Sequence, residues 1–172
     1  MTQGVSMTPA GSVLAPSRGA RALILAAASA AILATVWILQ GFGYAPCELC
    51  LTQRYAFYAA VPLALITALF ASRSAHGLAR AGFALLAIIF AANAALAAYH
   101  TGVEYHWWTG PTACTGGLTS SLNVNDLVNT LNSEKVVRCD EVQLRIAGLS
   151  LAAWNVVASA VLAAYAALAA RL

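Results

Sequence analysis

Four stretches of this chain run without a charged residue: 22–47, 55–72, 81–103 and 146–170, of 26, 18, 23 and 25 residues. A helix rises about 1.5 Å per residue, so about 20 apolar residues cross a hydrocarbon layer of about 30 Å, and each stretch reaches or nearly reaches that length. Only 15 of 172 residues are charged, nine Lys or Arg and six Asp or Glu, while 61% are hydrophobic. A soluble globular domain carries charge on about a quarter of its residues. The expected fold is therefore an all-α membrane protein, a bundle of four transmembrane helices at about 22–41, 55–72, 81–102 and 146–170.

A fifth charge-free run, Tyr105 to Asn125, holds Gly110, Pro111, Gly116 and Gly117 among Thr, Ser and Asn and reads as loop. Arg18 and Arg21 precede the first span as they would in a signal peptide, but the apolar stretch from Ala22 to about Leu39 exceeds the usual core of about 7–15 residues. It is expected to stay as a helix. Residues 1–20, rich in Ser, Thr, Pro and Gly, read as a disordered tail ahead of a membrane domain over 21–172. One side of the expected bundle then holds Arg18, Arg21, Arg73, Arg80 and Arg171 with no acid; the other holds Arg54, Lys135, Arg138 and Arg145 with all six acids. The short 73–80 connection concentrates positive charge, which places both termini in the cytoplasm and loops 42–54 and 103–145 outside, in the periplasm if the organism is Gram-negative.

All four cysteines, Cys47, Cys50, Cys114 and Cys139, fall in those two outward loops. Disulfides persist there. Cys47 with Cys50 and Cys114 with Cys139 suggest themselves, although four cysteines permit three connectivities. A Cys-x-x-Cys bridge closes so small a loop that it adds little entropic stability, and such bridges are more often redox-active than structural. Cys50 is expected near the first turn of the second helix, where the helix dipole favours a thiolate.

Arg54 follows Cys50 by four residues and Cys47 by seven, so a helix starting near Glu48 would carry all three on one face. The spacing leaves two readings: a cation beside the ionising sulfur, or an anchor snorkelling to the headgroups. Asn93 and His100 share a face of the third helix. Asn93 reads as an interhelical hydrogen bond, whereas a titratable His100 at membrane depth is a functional candidate. Tyr99, Tyr105, Trp107 and Trp108 read as an interfacial belt. The fourth span, with 11 Ala in 25 residues, suits close packing more than chemistry. In the second loop Val124, Leu127, Val128 and Leu131 fall at the spacing of a short amphipathic helix.

The run Pro46-Cys47-Glu48-Leu49-Cys50-Leu51-Thr52-Gln53-Arg54 resembles the signature of the DsbB family, quinone-linked oxidases of periplasmic thiols. The resemblance continues through Tyr99–Glu104, Gly110–Cys114, Cys139–Glu141 and Gly148–Asn155, and spans nearly everything after residue 21. Gln53 stands where some relatives carry an acid, so a proton role at that position does not carry over. The resemblance implies that a DsbA-like thioredoxin-fold partner attacks Cys114, that Cys139 is released and attacks Cys47, and that Cys50 is freed as the thiolate that donates to a quinone, ubiquinone or menaquinone. It further implies that Arg54 stabilises the arriving negative charge and that His100 lies near the quinone ring. A DsbA-like partner is itself a strong oxidant, and each 30 mV uphill costs about 1.4 kcal/mol for two electrons, so a lipid-soluble acceptor of higher potential is needed.

Other readings predict different features. A non-enzymatic bundle with structural disulfides leaves Arg54 and His100 unexplained. A structural zinc site would want a second close cysteine pair, whereas 24 residues separate Cys114 from Cys139. An enzyme resembling vitamin K epoxide reductase would carry its Cys-x-x-Cys late in the bundle, after its loop cysteines; here the motif comes early.

Overall fold

In hydrocarbon a backbone must satisfy its own hydrogen bonds, and all four apolar runs do so as helices. The computed structural model describes residues 16–111 and 137–171. Helix α1 spans Arg18–Gly41, α2 Glu48–Ser72, α3 His76–Glu104 and α4 Leu151–Arg171, each long and apolar enough to cross a membrane. Strands β1 (Arg145–Ile146) and β2 (Leu149–Ser150) form a small antiparallel hairpin ahead of α4.

The helices depart from the charge-free runs at their ends. Helix α2 starts at Glu48 rather than near 55 and takes in Arg54, so the first loop shrinks to 42–47; α3 likewise takes in Arg80 and Glu104. A charged side chain near a membrane surface reaches water along its own stem, so it does not end a helix there. The fourth span departs the other way. Residues 145–150, expected to be largely helical, turn back at Ala147 and Gly148, whose φ values of 51° and 84° fit a two-residue hairpin turn. Ser150 then caps α4, its Oγ accepting from the Ala153 N–H at 3.2 Å. Of the expected tail, residues 18–20 belong to α1. The remainder through residue 15, the amphipathic helix around Val124–Leu131, and Cys114 lie outside the described residues.

The helices pack in sequence order, α1 on α2, α2 on α3 and most extensively α3 on α4, whereas α1 and α4 meet over a much smaller contact. Leu25, Phe57, Phe83, Leu86, Phe90 and Leu162 fill the centre, with the Phe57 and Phe90 rings 6.1 Å apart. At one end Arg18 donates to Nδ1 of His76 at 2.8 Å and the Arg80 Nε–H to the Ala170 carbonyl at 3.1 Å, which brings the starts of α1 and α3 and the end of α4 together. The cysteines occupy the opposite end. Arg54 and Arg138 lie at that end with them.

Helices α2 and α3 approach closely where Gly82 faces the buried Thr67. A Cβ at position 82 would overlap Thr67 Oγ1 and lie 3.1 Å from Thr67 Cβ. Gly82→Ala should therefore destabilise the bundle by about 1–3 kcal/mol, as overpacking does. Adding Thr67→Ala should restore most of that loss, measured by unfolding midpoints in detergent; a Gly82→Ala protein as stable as the parent would disprove this close approach.

Candidate functional site

Pro46 ends the first loop, and Cys47 takes the N-cap of α2 with an extended backbone, φ −78° and ψ 171°. Its sulfur occupies the position where a helix leaves backbone N–H groups unpaired. The Cys50 N–H donates to Cys47 Sγ at 3.3 Å, the Cys50 sulfur lies 2.7 Å away, and His100 Nε2 on α3 lies 3.6 Å away. The hydrogen bond from the Cys50 thiol, joined by that from His100, outweighs burial and holds the Cys47 thiol well below its ordinary range. The helix start was expected to favour a thiolate at Cys50; the cap position gives that advantage to Cys47. Both sulfurs are free and within reach of one another.

Cys139 reaches the same place from the second loop. It is disulfide-bonded and 1% exposed, and it shares one apolar cluster with Cys47, Leu49 and Val103, against which Cys50 also packs. The residues on either side of it clamp each other outside that cluster: Arg138 Nε and Nη2 donate to the two oxygens of Asp140 at 3.0 and 2.7 Å. This bidentate hydrogen bond lowers the Asp140 carboxyl below its usual range. Of the four cysteines singled out in the sequence, Cys47, Cys50 and Cys139 are thus brought together; Cys114 lies outside the described residues.

His100 is 1% exposed and held on several sides. Its Nδ1 lies 2.9 Å from Gln53 Nε2, and its Nε2 lies 4.0 Å from Glu104 Oε1, while Ser150 Oγ donates to the other Glu104 oxygen. Gln53 Oε1 accepts from Asn155 Nδ2 at 2.6 Å; Asn155 Oδ1 accepts from Ser159 Oγ at 3.2 Å; Ser159 Oγ accepts from Asn93 Nδ2 at 2.9 Å. Asn93 makes the interhelical bond expected of it. The alanine-rich fourth helix, read as packing alone, contributes two polar links to this set. Gln53, Asn155, Ser159 and Glu104 were not singled out as site residues. The signal available was their polarity inside apolar helices, with Asn155 and Ser159 one turn apart.

Because α1 and α4 barely meet, a cavity of about 380 Å³ opens between them beside the sulfurs. Ile32, Val36, Leu39, Phe57 and Ala158 give it apolar walls, and Cys47, Cys50, Gln53, Arg54 and His100 line its polar end. Ala31, Thr35 and Trp154 on its wall are exposed, so it is a crevice open at one edge. A mostly apolar cavity of this size with a few convergent polar groups fits a flat, lipid-soluble ring such as a quinone.

Arg54 lines that cavity, but its head turns to α1 instead of the sulfurs. Nη1 donates to Gln40 Oε1 at 2.8 Å, and the guanidinium carbon lies 5.9 Å from the centre of the Trp37 ring. The long side chain reaches past Cys50 to the acceptor and aromatic face that α1 offers, and among the described residues no carboxylate pairs with it. The aromatic belt is partly internal: Trp108 stacks on Tyr99 at 5.9 Å and donates to its carbonyl.

The family model for disulfide bond formation protein DsbB matches residues 18–169. No curated protein and no solved structure was found to match the chain.

The donors around Cys47 set a pH dependence. With Cys114 and Cys139 replaced by Ser and the remaining pair reduced, thiolate absorbance should show one group ionising well below the ordinary thiol value of about 8.5. His100→Phe should move that midpoint upward. A lowered folded value stabilises the reduced protein fully above the unfolded pKa, and the gain disappears as pH falls through the lowered value. Two thiols titrating at the ordinary value would refute the convergence of donors on Cys47.

Proposed function

The chain belongs to the DsbB family, a multi-pass membrane protein for disulfide bond formation, and from that premise we propose that it oxidises a DsbA-like periplasmic dithiol protein and passes the electrons through two cysteine pairs to a membrane quinone. The single observation that carries this reading is the meeting of Cys139, Cys47 and Cys50 in one buried cluster at the wall of an apolar cavity.

In this reading a thiolate of the partner attacks Cys114 of a Cys114–Cys139 bridge, and Cys139 leaves as the thiolate. Cys139 then attacks Cys47 of a Cys47–Cys50 bridge; a Cys47–Cys139 bond forms and Cys50 leaves with the electron pair. The second thiolate of the partner closes the partner's own disulfide and returns the Cys114 sulfur to exchange with Cys139. That exchange releases Cys47 as a thiolate, the form its three donors favour. Cys50, more open than Cys47, faces the cavity as the exit for the electron pair.

A quinone supplies an acceptor of two electrons and two protons at a potential above that of the partner. Arg54 would hold its polar end, with His100 and Gln53 beside it on the cavity wall, and the apolar walls would hold its ring. Arg54 is held by Gln40 and Trp37 with no carboxylate among the described residues to neutralise it, so its charge remains available to oxygen atoms that gain electron density. We further propose that the cysteine end faces the periplasm and both termini the cytoplasm, following the distribution of Arg and Lys.

Purified protein supplied with a reduced DsbA-like protein should consume quinone catalytically, followed by absorbance, and Cys47→Ser, Cys50→Ser, Cys114→Ser or Cys139→Ser should each abolish turnover. Arg54→Ala should raise the apparent KM for quinone about tenfold or more, the worth of one charged hydrogen bond. Folded, quinone-replete protein that consumes none would overturn the oxidase reading. An unchanged KM in Arg54→Ala would remove Arg54 from it.

A further inference from the structure

The polar contacts behind His100 share a direction. Asn93 Nδ2 donates to Ser159 Oγ, Ser159 Oγ donates to Asn155 Oδ1, and Asn155 Nδ2 donates to Gln53 Oε1, which leaves Gln53 Nε2 facing His100 Nδ1 at 2.9 Å. An amide nitrogen only donates, so Nδ1 must accept, and the hydrogen of a neutral ring sits on Nε2, toward Cys47 Sγ at 3.6 Å. Turning any one amide over would set N–H against N–H or oxygen against oxygen at its next contact. The links therefore hold or reverse together.

The far end selects the direction. Facing the ring are Cys47 and Cys50 from α2, Glu104 from its own helix at 4.0 Å, and the backbone of Cys139 from the loop; Arg54, Arg138 and Glu141 line the cavity beyond. Reversal in a neutral ring would aim the bare Nε2 lone pair at a sulfur and a carboxylate, whereas the observed direction aims an N–H at both. Asn93, Ser159, Gln53 and His100 are buried, whereas Asn155 is half-buried on the crevice wall, so the two ends of the chain are the links most shielded from water.

We propose that Asn93, Ser159, Asn155 and Gln53 form one polarised hydrogen-bond chain across three helices that holds His100 as the neutral Nε2–H tautomer, a fixed hydrogen-bond donor to Cys47. The four are positioning residues. What the donor is for rests on the relay proposed above, since it favours Cys47 whenever that sulfur leaves as a thiolate. The tautomer itself does not depend on the relay. A second proton on Nδ1 would require Gln53, Asn155 and Ser159 to reorient together.

The test is nitrogen NMR of ring-labelled histidine in the resting protein in detergent, with no quinone turnover or partner, the His100 signals being assigned by their loss in His100→Gln. At pH 7 His100 should show a one-bond N–H coupling at Nε2 and none at Nδ1. Asn155→Leu, which touches neither sulfur nor ring, should convert the single tautomer into a mixture while leaving His76 and His106 unchanged. Gln53→Glu, which sets an acceptor against Nδ1, should place a proton there. A His100 protonated at Nδ1 or at both nitrogens in the parent protein overturns the proposal, as does an Asn155→Leu spectrum identical to the parent's. If Asn155→Leu fails to fold, the parent spectrum and Gln53→Glu still decide. Failure of quinone reduction with this tautomer present would sink the relay and leave the chain standing.

Discussion

A polar side chain buried between membrane helices has to find its partner within the protein, because lipid offers none. That constraint organises the sulfur end of this bundle. Gln53 from α2, Asn93 and His100 from α3, and Asn155 and Ser159 from α4 satisfy one another and tie three helices into one frame. Helix α1 stays outside the set. It packs on α2 and leaves a crevice against α4, so the rigidity of three helices and the access past the fourth arise from one distribution of polar residues.

The sulfur chemistry is laid over that frame by short-range features. An N-cap is a place where backbone donors await an acceptor, and a cysteine there gains what Ser or Asp gains elsewhere. Cys47 is the cap; Cys50 follows three residues later with the thiol and N–H that point back at it. The loop cysteine arrives independently, its flanks fastened by the Arg138–Asp140 clamp, which leaves the Cys139 side chain directed into the cluster with Cys47.

Much of this was legible in the sequence because membrane helices are specified by coarse features. Four apolar runs fixed the helix count. The helix termini were not legible: absence of charge marks the hydrocarbon layer, whereas Glu48, Arg54, Arg80 and Glu104 sit on helical turns beyond it. The hairpin at 145–150 was hidden in an apolar run because Ile146 and Leu149 read equally well as membrane helix. Spacing correctly put Arg54 near the sulfurs along α2, yet a side chain of that length chooses among partners on other helices, and Gln40 and Trp37 belong to α1. Gln53, Asn155 and Ser159 were visible as polar residues, but pairing them needs the helix rotations that only packing provides.

On the proposed reading, the different holds on Arg54 and His100 divide the labour between a lightly held charge and a fixed dipole. Arg54 is held by one neutral hydrogen bond and an aromatic face, both weak enough to yield to an oxygen atom in the cavity. His100 is gripped on both nitrogens, by Gln53 on one and by Cys47 and Glu104 on the other, and cannot turn without breaking a buried contact. A group meant to meet an incoming ring benefits from slack. One meant to face a sulfur that is bonded at one stage and ionised at the next benefits from a fixed position, because a preorganised donor stabilises the new charge without reorganising when the bond breaks.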